Sequence, residues 1–132
     1  MSSTSSQDQR PLSPHLQVYK PMLTMMMSII HRITGVVLYF GTFLVVWWLV
    51  AAAVGPGYFN MVNGFFSSWF GVIVLLGYTW TLIHHALGGL RHLVWDTGRG
   101  FDLDRVEWMA KANLAGSIVL TLLVWAIVHV VR

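Results

Sequence analysis

The chain has 132 residues, of which 56% are hydrophobic and 10% charged, with no cysteine, a formal net charge of +3 and a mean hydropathy of +0.66. This composition excludes a water-soluble globular domain. The lack of cysteine excludes disulfides, iron–sulfur ligation, thiolate catalysis and thioether-linked haem, so a redox centre held here must be held through histidine. The basic residues are dispersed around apolar runs, a distribution that membrane topology explains better than nucleic-acid binding. Met1 to Gln9 is a serine-rich polar tail without apolar periodicity. Arg10 to Pro21 contains three prolines and alternates apolar with polar residues, so it is expected to be extended against a partner or the membrane surface.

Residues 22–132 are expected to form an all-α membrane domain with three spans, at about 25–54, 65–94 and 108–131, following a tail and partner-contacting segment at 1–21. The first span carries no charge from Ile33 to Tyr58 and ends at Gly55-Pro56-Gly57. It is too long for the apolar core of a signal peptide, and no compact basic segment precedes it, so it is read as a retained span despite Ala51-Ala52-Ala53. The second is charge-free until Arg91, and the third has Lys111 at its entry and His129 at its exit. Arg10, Lys20, Arg99, Arg105 and Lys111 flank one side of the predicted membrane and only Arg132 the other. The positive-inside rule then places the amino terminus in the cytoplasm and the carboxyl terminus outside.

Ionisable residues within spans are costly and face a protein interior or cavity. Two groups stand out. In the first span, Ser28, His31, Arg32 and Gly35 follow the i, i+3, i+4, i+7 spacing of one helical face. In the second, at about 100° per residue, His85, Gly89, His92 and Asp96 share a narrow arc, with Arg91 close in sequence. A histidine one turn from a glycine offers an imidazole nitrogen to a metal and leaves room for a flat macrocycle. Antiparallel spans bring both groups to the cytoplasmic half. With Trp95 at the interface, His85 lies roughly 15 Å deeper. His84 points about 100° away from His85 and is expected to bond a neighbouring helix or backbone instead.

Three stretches resemble the cytochrome b anchor subunit family of succinate dehydrogenase: Arg10-Pro11-Leu12-Ser13-Pro14-His15-Leu16 with Tyr19, Ser28-Ile29-Ile30-His31-Arg32-Ile33-Thr34-Gly35, and His85-x3-Gly89-Leu90-Arg91-His92-Leu93-x-Trp95-Asp96-x-Gly98. The resemblance implies one part of a hetero-oligomeric membrane helix bundle, built with a second three-helix anchor, an iron–sulfur subunit and a flavoprotein. FAD and iron–sulfur clusters belong to those partners, and ubiquinone is the substrate reduced where anchors and iron–sulfur subunit meet. By position in the motifs, His85 is similar to the axial ligand of haem b, the second ligand coming from the other anchor. His31, Arg91 and His92 are similar to neighbours of the haem propionates, Gly89 to a residue packing on the haem, and Ser28 and Arg32 to quinone-site residues. The chain is then non-catalytic by itself. Chemically, Ser28 can donate a hydrogen bond to a quinone carbonyl and Arg32 can stabilise the negative charge developed on its oxygens. Two other readings of the same residues are an anchor of a fumarate reductase and a haem-free structural three-helix membrane protein. The short tail before Arg10 favours a bacterial inner membrane over a mitochondrial destination.

Overall fold

A computed structural model of the chain describes residue 18 and residues 20–131; the motif at Arg10–Leu16 and Tyr19, and the charge at Arg132, lie outside the described residues. Four helices follow in order: α1 (Leu23–Val54), α2 (Pro56–Ser67), α3 (Trp69–Asp96) and α4 (Leu103–Val131). The architecture is all-α, and α1, α3 and α4, with 32, 28 and 29 residues, are long and apolar enough to cross a membrane. At 1.5 Å per residue each exceeds a hydrocarbon thickness of about 30 Å, so the ends project into the interfaces or the helices tilt.

The second and third long helices do not begin where apolar runs alone place them. The charge-free connection after α1 is not a bare loop: Gly55, at φ 138°, turns the chain, and Pro56 opens the 12-residue α2. Val62 and Phe66 of α2 are buried with Ala51 of α1, and Leu44, Trp47 and Tyr58 pack around them. The Trp47 indole N–H donates to the Tyr58 hydroxyl at 2.8 Å. Phe65, expected to start the second span, therefore belongs to α2. The chain is extended at Ser68, whose hydroxyl accepts a hydrogen bond from the Gly71 amide at 3.1 Å and caps α3. The stretch around Ser67 and Ser68 carries no charge and is apolar on both sides, which conceals this break. Helix α4 starts at Leu103, ahead of the apolar stretch, because its polar first turns pair locally: Asp102 with Arg105 at 3.2 Å and Glu107 with Lys111 at 2.7 Å.

Lipid is as apolar as a leucine side chain, so apolar burial contributes little to helix association; small and polar residues must carry it. The buried residues follow that rule. They are Met27, Thr34, Gly41 and Ala51 on α1, Gly71, Thr81, His84, Gly88 and Arg91 on α3, and Ala110, Asn113, Ser117 and Thr121 on α4. Positions 27, 34 and 41 recur every seven residues, and those on α4 every three or four, the spacings of a contact seam between long helices. Helix α3 packs against both α1 and α4 and is the centre of the bundle. Most large apolar side chains, among them Phe40, Phe43, Leu90 and Leu122, remain exposed for lipid or partner helices.

Candidate functional site

The antiparallel course of α1 and α3 brings the two polar groups together. The rings of His31 and His85 stack at a centroid separation of 4.0 Å and an interplanar angle of 9°. The His92 ring lies 5.4 Å from that of His31 and edge-on to Trp95 at 5.1 Å. The stack fits because each histidine faces a glycine of the opposite helix. A Cβ added to Gly88 would sit 2.5 Å from His31 Nδ1, and one added to Gly35 would sit 3.1 Å from His85 Cε1. Gly89 differs: nothing lies within 4 Å of an added Cβ, so that side of α3 is open beside His85. The glycines that sequence alone leaves undivided thus separate into two that admit helix contact and one that admits something else.

The half-buried His85 is anchored through one nitrogen. Its Nδ1 lies 3.2 Å from the His31 carbonyl oxygen and 3.1 Å from the Thr34 hydroxyl, while Thr34 donates to that same carbonyl at 2.8 Å. Among the described residues Nε2 has no hydrogen-bond partner. Ser28 is half-buried and Arg32 exposed, and neither enters a hydrogen bond or ion pair among the described residues.

His84 turns the other way, as its 100° offset predicts. It is fully buried, its Nδ1 is 3.1 Å from the Ser117 hydroxyl of α4, and the Trp80 ring packs 5.0 Å away, which accounts for a tryptophan in mid-span. Arg91, seven residues on, shares the face of His84 and not that of His85. Its guanidinium carbon lies 5.0 Å over the Trp95 ring and its Nε is buried without a partner. No hydrogen bond joins Arg91 to His31, His85 or His92 among the described residues. Thr34 and Ser117, the hydroxyls that orient the two histidines, were not singled out by spacing. The available signal was a threonine three residues after His31, and the polar series Asn113, Ser117, Thr121 on an otherwise apolar helix.

Among the described residues no three metal-binding side chains converge. The site offers one well-oriented imidazole, His85.

Residues 6–128 match the family model of the succinate dehydrogenase/fumarate reductase transmembrane subunit. The chain belongs to this family. Similar relatives include the succinate dehydrogenase cytochrome b556 subunit of Paracoccus denitrificans, 47% identical over 114 residues that cover 86% of this chain and 88% of the relative. The cytochrome b556 subunit of Rickettsia prowazekii is 36% identical over 118 residues, covering 89% and 92%. The cytochrome b560 subunit of Marchantia polymorpha is 36% identical over 103 residues, covering 74% of each. As a succinate dehydrogenase/fumarate reductase transmembrane subunit, the chain is a multi-pass membrane protein. The matched region contains α1 to α3 and all of α4 but its last three residues, and with them every residue of the His31–His85 site.

Proposed function

We propose that this chain is the cytochrome b anchor of a succinate:quinone oxidoreductase, holding haem b together with a second anchor subunit and contributing to the site of ubiquinone reduction. The observation that carries the proposal is His85: its Nδ1 is satisfied by oxygens of α1, its Nε2 has no partner among the described residues, and the neighbouring Gly89 leaves the flank of the helix open. An axial haem ligand needs that arrangement, one nitrogen fixed and the other free beside a surface on which a macrocycle can lie. Haem b, held by His85 and a ligand from the second anchor, would supply one-electron transfer.

His31 and His92, whose rings lie 5.4 Å apart and tilted by 39°, together with the cationic Arg91 at the same end of α3, serve the propionates. Ser28 and Arg32 face the quinone, where a hydroxyl donor and an exposed guanidinium stabilise the developing oxyanion. The second anchor, an iron–sulfur subunit and a flavoprotein complete the assembly and carry the iron–sulfur clusters and FAD. The chain alone performs no chemistry on succinate. The excess of basic residues on one side supports an amino terminus in the cytoplasm and a carboxyl terminus on the periplasmic side of a bacterial inner membrane. The succinate dehydrogenase names of the relatives favour succinate oxidation as the working direction.

The test is a reduced-minus-oxidised absorbance spectrum of the assembled complex, comparing wild type with His85→Ala and His84→Ala. Loss of the haem b band in His85→Ala alone, with assembly preserved, is the expected result. A wild-type spectrum from His85→Ala refutes the ligand assignment.

A further inference from the structure

Thr34 is 3% exposed and lies between His31 and His85. Its hydroxyl has a single proton, and the 2.8 Å approach to the His31 carbonyl, three residues back on the same helix, is where that proton goes. The threonine oxygen therefore presents lone pairs to His85 Nδ1 at 3.1 Å. The second oxygen near this nitrogen, the His31 carbonyl at 3.2 Å, has no proton to give under any arrangement. Nδ1 thus faces two acceptors. An unprotonated Nδ1 would set lone pair against lone pair in a half-buried, low-dielectric seam, so Nδ1 carries the imidazole proton and Nε2 the lone pair.

We infer that Thr34 is a positioning residue for the haem ligand: with the His31 carbonyl it fixes His85 as the Nδ1–H tautomer and leaves the lone pair on Nε2. The inference rests on His85 being the axial ligand. Two acceptors on Nδ1–H also make the imidazole more electron-rich, and a more basic ligand stabilises the oxidised iron. Thr34 accordingly contributes to haem retention and lowers the reduction potential. Sequence position alone gives Thr34 no such task, since a β-branched hydroxyl at a helix contact reads equally well as packing.

Thr34→Val keeps the branched shape and removes the acceptor, whereas Thr34→Ser keeps the hydroxyl. Both are made in the complete membrane complex, with retention of haem against a haem-scavenging apoprotein and the midpoint potential by redox titration as readouts. Thr34→Val is expected to bind haem roughly tenfold or more weakly, within the range known for lost outer-shell partners, and to titrate at a higher potential, while Thr34→Ser stays at wild-type values. Thr34→Val with unchanged retention and potential overturns the inference. If Thr34→Val does not assemble, the decision passes to Thr34→Cys, whose sulfur is a weak acceptor of similar size. A potential above that of Thr34→Ser supports the inference and an equal one overturns it. Haem loss in His85→Ala with a wild-type Thr34→Val refutes the role of Thr34 alone. Haem retained in His85→Ala refutes the ligand assignment itself.

Discussion

Gly88 and Gly89 are neighbours in sequence, and alanine is expected to act on them in opposite directions. At Gly88 the new methyl carbon would stand 2.5 Å from His31 Nδ1, 3.0 Å from Cε1 and 3.4 Å from Cγ. The His31 ring must retreat by about 1 Å to restore ordinary contact, which pulls it off His85. Overpacking of this kind costs about 1–3 kcal/mol, against which alanine regains up to about 1 kcal/mol of helix propensity over glycine. The net is a destabilisation of about 0–3 kcal/mol and a disturbed His31–His85 stack. At Gly89 no neighbour lies within 4 Å, so Gly89→Ala retains the propensity gain without the clash. The fold of the chain gives no reason for Gly89 to be glycine. On the proposed function, the reason lies outside the chain, in a flat group against that face. Gly89→Leu is therefore expected to assemble with its partners but to lose haem. Haem per complex by pyridine haemochrome, with thermal stability and co-purification of the partner subunits, measures all three variants. Wild-type haem content in Gly89→Leu would refute a macrocycle on this face. Gly88→Ala proving as stable as Gly89→Ala would refute the packing argument.

Arg32→Ala should lower quinone reduction while leaving succinate oxidation by an artificial dye intact, because this exposed side chain holds no partner in the described fold; parallel loss of both activities would speak against a quinone role. Ser117→Ala strips the only hydrogen bond of the buried His84 ring among the described residues and should cost about 1–2 kcal/mol, read as a lower denaturation midpoint with an unchanged haem spectrum. A double-mutant cycle with His84→Leu should then return most of that loss as coupling, and no coupling would sink the assignment. Trp47→Phe removes the 2.8 Å bond to Tyr58 and should loosen α2 by about 0.5–1.5 kcal/mol, seen as faster proteolysis after Gly55 without change in the haem band.

The long helices were legible because a membrane span is a coarse signal: twenty or more apolar residues suffice, whatever their order. The juxtaposition of His31 and His85 was legible too, since antiparallel neighbours place residues near one interface at the same depth. Helix α2 was not, because its limits are set by one positive-φ glycine and one capping serine inside a charge-free stretch that reads as a loop running into the next span. The partition of Gly35, Gly88 and Gly89 was equally hidden. Which glycine meets a side chain depends on helix rotation and crossing, and spacing fixes only the relative angles around one helix. Arg91 shows the same limit: one residue from His92 in sequence, it is about 100° away around the helix and ends over Trp95.

The rotation of α3 is held from two sides. Toward α1, Gly88 accepts the His31 ring, and the His31 carbonyl with Thr34 accepts the Nδ1 proton of His85. Toward α4, Ser117 donates its proton to the Leu114 carbonyl at 2.8 Å, so its oxygen accepts from His84 Nδ1, and the fully buried ring serves as a peg between the helices. A turn of α3 by one residue, about 100°, would break both sets at once and leave several buried polar groups unpaired, each at a cost of about 1–3 kcal/mol. The adjacent histidines are for this reason not interchangeable: His84 fixes the angle at which His85 is presented. That angle is set within one chain, and pre-set geometry of this kind reduces the ordering cost of binding. The doublet then has a physical logic, in which the closed imidazole stabilises the helix contact and the open one remains free to bind.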